Sequence, residues 1–140
     1  MATYTTQFSF LVPADDPARV AALYRELIND EWGEYPEGHP IFPDGGEVFG
    51  LPNVTLDTPD TVWVHDDAGE SDIDTTIAVV QWILRLNAET TEVFFEWADG
   101  CSRPLLDAYH GGAALVTPTD CRAMHTSALQ DLLAYELAQD

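Results

Sequence analysis

Alternation opens the chain. In Thr5 to Val12, TTQFSFLV, the side chains of Phe8, Phe10 and Val12 fall on one side, which predicts a strand. Asp16 and Pro17 then supply an N-cap and a proline at the first helical position, where the missing N–H is not needed. Val20, Leu23, Leu27 and Ile28 recur at helical spacing and predict an amphipathic helix from about Pro17 to Asn29, with those four facing inward. From Asp30 to Pro52 the periodicity stops. Four prolines, five glycines and six acids predict a long acidic loop or flap, at about 30–52, held down by Trp32, Tyr35, Ile41 and Phe42.

Two short runs rich in Val, Thr and Trp, Asn53 to Asp57 and Asp60 to Asp66, flank Thr58-Pro59 and predict a hairpin. Ser71 or Asp72 begins a second helix, whose buried stripe is Ile73, Ile77, Val80 and Leu84, running to about Asn87. Glu92 to Ala98 is an apolar strand with Val93, Phe95 and Trp97 on one face; Ala113 to Thr117 is another. Ser127 to Leu137, capped by Thr126, predicts a last helix with Leu129, Leu132, Leu133 and Leu137 inward. The order β-α-β-β-α-β-β-α predicts an α+β fold, a mostly antiparallel sheet with two or three helices packed on one face. Its first six elements match the split βαβ arrangement. At 140 residues this is one domain, 1–140, with a core large enough to need no staple.

Charge changes the picture. The chain has 25 Asp and Glu against five Lys and Arg, all five Arg, for a formal net charge of −20. Such a surface repels nucleic acid and anionic lipid, so direct nucleic-acid or membrane binding is not expected. No Lys or Arg lies between Arg25 and Arg85, a stretch that carries fourteen acids. Ordinary solvated surfaces mix both signs, because unrelieved like charges oppose compaction. The candidate binding surface is therefore Asp30, Glu31, Glu34, Glu37, Asp44 and Glu47 in the flap, Asp57, Asp60, Asp66 and Asp67 at the hairpin, and Glu70, Asp72 and Asp74 at the helix entrance. The start, MATYTTQFSF, lacks a basic leader, and no apolar run nears 18 residues, so a soluble cytoplasmic protein with free thiols is expected.

Chemistry-bearing residues gather at Ala98 to Gly112, ADGCSRPLLDAYHGG. Cys101, His110 and either Asp99 or Asp107 are the residue types of a thiol nucleophile, its base and an orienting carboxylate, with Ser102 an alternative nucleophile. No nucleophile-elbow signature surrounds them. The competing reading makes Gly111-Gly112 a tight re-entry into a strand and Cys101 a small packed hydrophobe. Cys101, His110, Cys121 and His125 are also candidate metal ligands, the last pair four residues apart and the first pair nine. His39 and His65 sit beside turn residues and read as exposed. The acids from Asp66 to Asp74 lack the order of a calcium loop and read as helix capping plus a solvated turn. No cofactor, catalytic residue or resident metal is expected from these patterns.

Residues 95 to 117, FEWADGCSRPLLDAYHGGAALVT, with His125-Thr126-Ser127 downstream, resemble the C-terminal signature of a family of small uncharacterised proteins of phages and plasmids. Trp97, Ala98, Cys101, Ser102, Pro104, Gly111, Gly112, Val116 and Thr117 carry the match; Arg103, Leu105, Tyr109 and His110 depart from it. The resemblance implies a mobile-element context and no particular activity. Where the family has glycine this chain has His110, which argues against a histidine chemistry shared by the family.

Together these features predict an acidic accessory protein of a mobile element, not an enzyme. Its expected partner is a basic nucleic-acid-binding or defence protein of the host, inhibited in the manner of a DNA mimic of the anti-restriction or anti-CRISPR type. Duplex DNA presents one charge per ~1.7 Å of axis, which many carboxylates on one face can imitate. Two other readings stand beside it: a general accessory protein of a salt-rich cytoplasm, and a thiol or metal protein built on Cys101, His110, Cys121 and His125.

Overall fold

The computed structural model describes residues 4–28, 32–67, 69–89, 91–101, 111–125 and 137. The first apolar run folds as two strands, β1 (Tyr4–Gln7) and β2 (Ser9–Pro13). The expected single strand therefore changes partner at Phe8. Helix α1 (Pro17–Leu27) follows, capped by Asp16, whose carboxylate accepts from the Arg19 N–H. The region expected as a loop contains a hairpin of β3 (Trp32–Tyr35) and β4 (Gly46–Phe49). Next come β5 (Asn53–Thr58) and β6 (Thr61–His65), as the hairpin reading requires. Helix α2 (Ile73–Arg85) is capped by Asp72. Strands β7 (Val93–Cys101), β8 (Gly111–Val116) and β9 (Cys121–His125) complete the described order. The sequence pattern missed β9, all five residues of which are exposed, and started β8 two residues late.

The described strands pair antiparallel, and a single parallel bridge joins Thr6 of β1 to Glu70. β1 pairs β7, β7 pairs β8 and β8 pairs β9, while β2 pairs β6 and β6 pairs β5. Since β1 and β2 are successive halves of one run, the combined order is β9-β8-β7-(β1/β2)-β6-β5. Strand β6 lies between β2 and β5 and opposes both, so β2, α1 and β5 form the expected split βαβ unit, with α2 and β7 returning on the other flank. The fold is α+β. The helix expected over Ser127 to Leu137 lies outside the described residues except for Leu137, which is exposed where it was expected inward.

Period-two burial explains why one face is covered. Val12, Val54, Val62, Val64, Val93, Phe95, Trp97, Ala114 and Val116 are buried, and they share one core with Val20 and Tyr24 of α1 and Ile77, Val80 and Leu84 of α2. The alternate positions Leu11, Trp63, Phe94 and Leu115 remain exposed. Phe10 of β2 stacks on Phe95 of β7, centroids 4.2 Å apart at 10°, so aromatic packing bridges the point where the first run changes partner. Of the expected flap anchors, Tyr35, Ile41 and Phe42 are buried in this core; the Trp32 side chain lies outside the described residues. In α1, Val20 is buried and Leu23, Leu27 and Ile28 pack against the core half-covered.

Candidate functional site

The acids occupy two separate places. Asp72 is used by α2: its carboxylate accepts from the Thr75 N–H at 2.9 Å and the Thr75 hydroxyl at 3.0 Å. Asp66 organises the turn before it, accepting from the Gly69 N–H at 2.7 Å and the Ser71 hydroxyl at 2.7 Å. Asp67, Glu70 and Asp74 stay exposed. The end of β4 is fastened to this turn, because the Asp72 N–H donates to the Gly50 carbonyl at 2.8 Å and the one Thr75 hydroxyl proton is shared between the Asp72 carboxylate and the Phe49 carbonyl, 3.1 Å away. Gly50 takes φ +73, and a Cβ there would stand 2.6 Å from the Asp72 nitrogen. The approach of hairpin to helix thus depends on glycine. On that hairpin Glu34 and Glu47 are directly opposite, and Glu37 and Asp44 are exposed in its loop.

Asp57 and Asp60 do not join this group. They flank the β5–β6 turn at the start of β6, whereas Asp66 follows its end. Their neighbours are Asp15 and Asp16, brought close by the Ala14 N–H donating to the Asp60 carbonyl at 2.9 Å. Asp30 and Glu31 lie outside the described residues.

Two histidines expected on the surface are structural. His39 donates from Nε2 to the Leu27 carbonyl at 2.9 Å, and Nδ1 accepts from the N–H groups of Ile41 and Phe42 at 3.2 and 3.3 Å. It closes the C-terminus of α1 and gives the hairpin loop its turn. His65 is 6 % exposed, stacked on Trp63 at 3.6 Å, with Nδ1 2.6 Å from Asp67 and Nε2 3.4 Å from the Thr55 hydroxyl. Trp63 donates to the Ser9 hydroxyl at 2.7 Å. Thr55, His65 and Asp67 follow the order of a hydroxyl, imidazole and carboxylate relay. The 3.4 Å contact is longer than a well-formed proton-transfer hydrogen bond, and with the Trp63–Ser9 bond the group ties β2, β5 and β6 together. Sequence spacing could not show this, because Thr55 comes from β5, His65 from β6 and Asp67 from the turn after β6.

The two described ends of the busy segment are strand. β7 runs on through Cys101 and β8 begins at Gly111, so Trp97 faces Gly112 and Ala98 faces Gly111. A Cβ on Gly112 would come within 2.6 Å of both the Trp97 ring and the Met124 carbonyl, so the indole fills the space a side chain needs. Trp97 and Gly112 are therefore a packing pair. Asp99 accepts from the Thr6 hydroxyl at 2.9 Å, across the β1–β7 pair. Ser102, Arg103, Pro104, Asp107 and His110 lie outside the described residues, as does the Cys101 side chain.

The metal reading loses its closest pair. Cys121 and His125 lie on a strand, where four residues span about 13 Å, too far to share one ion. Cys121 is an exposed free thiol, and His125 packs edge-on to Trp97 at 5.3 Å. Among the described residues no group of three or more His, Cys, Asp or Glu is placed to hold a metal ion, and no helix is long and apolar enough to cross a membrane.

A groove lies on the outer side of α1. Two adjoining cavities of about 360 and 370 Å³ run between that helix and β5, sharing Ala18 and Leu56. Tyr24 closes its inner wall, donating to the Pro52 carbonyl at 2.6 Å. Burial pushes the Tyr24 phenol well above its usual range, and the neighbouring Tyr35 adds to the effect. No protein-family model matches this chain, and no curated protein or solved structure matches it.

Proposed function

We propose that the protein is an acidic binding module whose hairpin and helix-entrance face covers the basic, nucleic-acid-binding surface of a partner protein. In its finer form the reading is a DNA-mimic inhibitor of a host nucleic-acid-binding or defence protein, working in the cytoplasm as the accessory of a mobile element. The observation that supports it is the union of β4 with the start of α2. It joins the hairpin that carries Glu34 and Glu47 to the turn that carries Asp67, Glu70 and Asp74. Exposed carboxylates gathered in one region repel one another, and a cationic partner relieves that cost.

The second group, at Asp15, Asp16, Asp57 and Asp60, favours a different reading, in which acidity is spread for solvation in a salt-rich cytoplasm. Two measurements separate them. The binding module folds at low ionic strength; a protein adapted to salt unfolds there, because its self-repulsion is unscreened. In host lysate the immobilised protein is expected to retain a basic partner that duplex DNA displaces and a tenfold rise in salt releases. The pair Glu34→Gln and Glu47→Gln is expected to weaken that retention. A retained partner indifferent to DNA and to salt overturns the mimic reading.

A further inference from the structure

Among the described residues β5 pairs with β6 alone, so alternate N–H and C=O groups along its six residues point away from the sheet. The groove against α1 runs beside this unfinished edge. Its floor departs from the burial pattern of the core. Val54 is 5 % exposed, whereas Leu56, two residues on and on the same face, is 56 % exposed. The helix residue that shares both cavities with Leu56 is Ala18, whose methyl is too short to cover it. The ends of the groove differ in sign: Asp15, Asp16 and Asp57 line the end where β5 finishes, and Arg25 lines the end where it begins.

The geometry points to an extended peptide of a partner protein as the occupant of this groove, added antiparallel to β5 as one more strand, basic at its N-terminal end, apolar in the middle and acidic at its C-terminal end. Main-chain hydrogen bonds to a free edge supply affinity, and side chains on alternate positions supply selectivity. Antiparallel entry runs the peptide from the three carboxylates toward Arg25, and places an apolar side chain over Leu56. A second copy of this chain fits less well. Pairing β5 with β5 sets three carboxylates against one arginine at each end and joins two molecules of net charge −20. The inference is independent of the acidic face proposed above, which lies on the hairpin and the start of α2.

The test titrates the full ¹⁵N-labelled chain with a synthetic peptide of two lysines, alternating valine and threonine, and two glutamates, followed by amide spectra. Shifts are expected along Asn53–Thr58 and α1. N-methylation of the peptide's central amides, Leu56→Ser, or Ala18→Phe, which fills the groove, is each expected to weaken binding by about tenfold, one decade in Kd. Ala18 and Leu56 are exposed, so both variants should keep the native thermal transition. Should Ala18→Phe fail to fold, Leu56→Ser and the methylated peptide decide the matter. Absence of shifts at β5 with millimolar peptide, or equal affinity for the methylated peptide, overturns the proposal. A mass that doubles with concentration and reverts in Leu56→Ser assigns the groove to a second copy, and overturns it as well.

Discussion

Tyr24 shows how one side chain can carry both packing and pH dependence. It is 2 % exposed, its hydroxyl holds the Pro52 carbonyl, and burial disfavours its phenolate. In the unfolded chain the phenol ionises near pH ~10. The folded chain resists ionisation to higher pH, so the stabilising difference is intact below pH ~10 and is lost as pH rises above it. Urea titrations at neutral pH and above pH ~10 are expected to show that loss in the wild type and much less of it in Tyr24→Phe. At neutral pH the same variant should cost about 1–3 kcal/mol, since the buried Pro52 carbonyl loses its donor. The helical stripe of Val20, Leu23, Leu27 and Ile28 passed over Tyr24, whose buried position follows Leu23 by one residue. Its partner at Pro52 could not be read from spacing, because that contact depends on how α1 lies on β5.

At the level of elements, legibility followed locality. Both helix starts were readable since the caps act within one turn: Asp16 on Arg19, Asp72 on Thr75. Asp72→Ala is expected to cost about 1 kcal/mol, seen as a lower urea midpoint with unchanged slope, while Asp74→Asn, outside the cap, should leave stability nearly unchanged. If the Asp72 variant is as stable as wild type, the cap contributes nothing. The β5–β6 hairpin was readable from its alternation around Pro59. By contrast, β3 and β4, WGEY and GEVF, are four residues each, start with or contain glycine and show no period-two alternation; they are held by Tyr35, Ile41 and Phe42 beneath and by the bonds from Gly50 and Phe49 to α2. β9 gave no signal because none of its side chains is buried and its pairing partner, β8, supplies the order. The acidic surface was readable as composition, whereas its division into two places needed the course of β6.

Across the whole molecule the arrangement turns on the run from Tyr4 to Pro13. Its alternation never breaks, and so nothing in the sequence marked Phe8 as the place where hydrogen bonding passes from β7 to β6. Ladder bonds on either side of that residue belong to different neighbours, and what spans them is the stacking of Phe10 on Phe95, the helices above, and the bond from the Thr6 N–H to the Gly69 carbonyl in the turn after β6. Deuterium uptake is accordingly expected to divide there: amides of β7 and β8 exchange together through a partial opening that leaves β2 and β6 protected, and Phe10→Ala lowers the energy of that opening more than it lowers global stability. A uniform rate for both groups would mean that the two halves open only as one. The first strand is then a joint as well as a strand, and the chain's N-terminal arm holds together two units that could otherwise breathe separately.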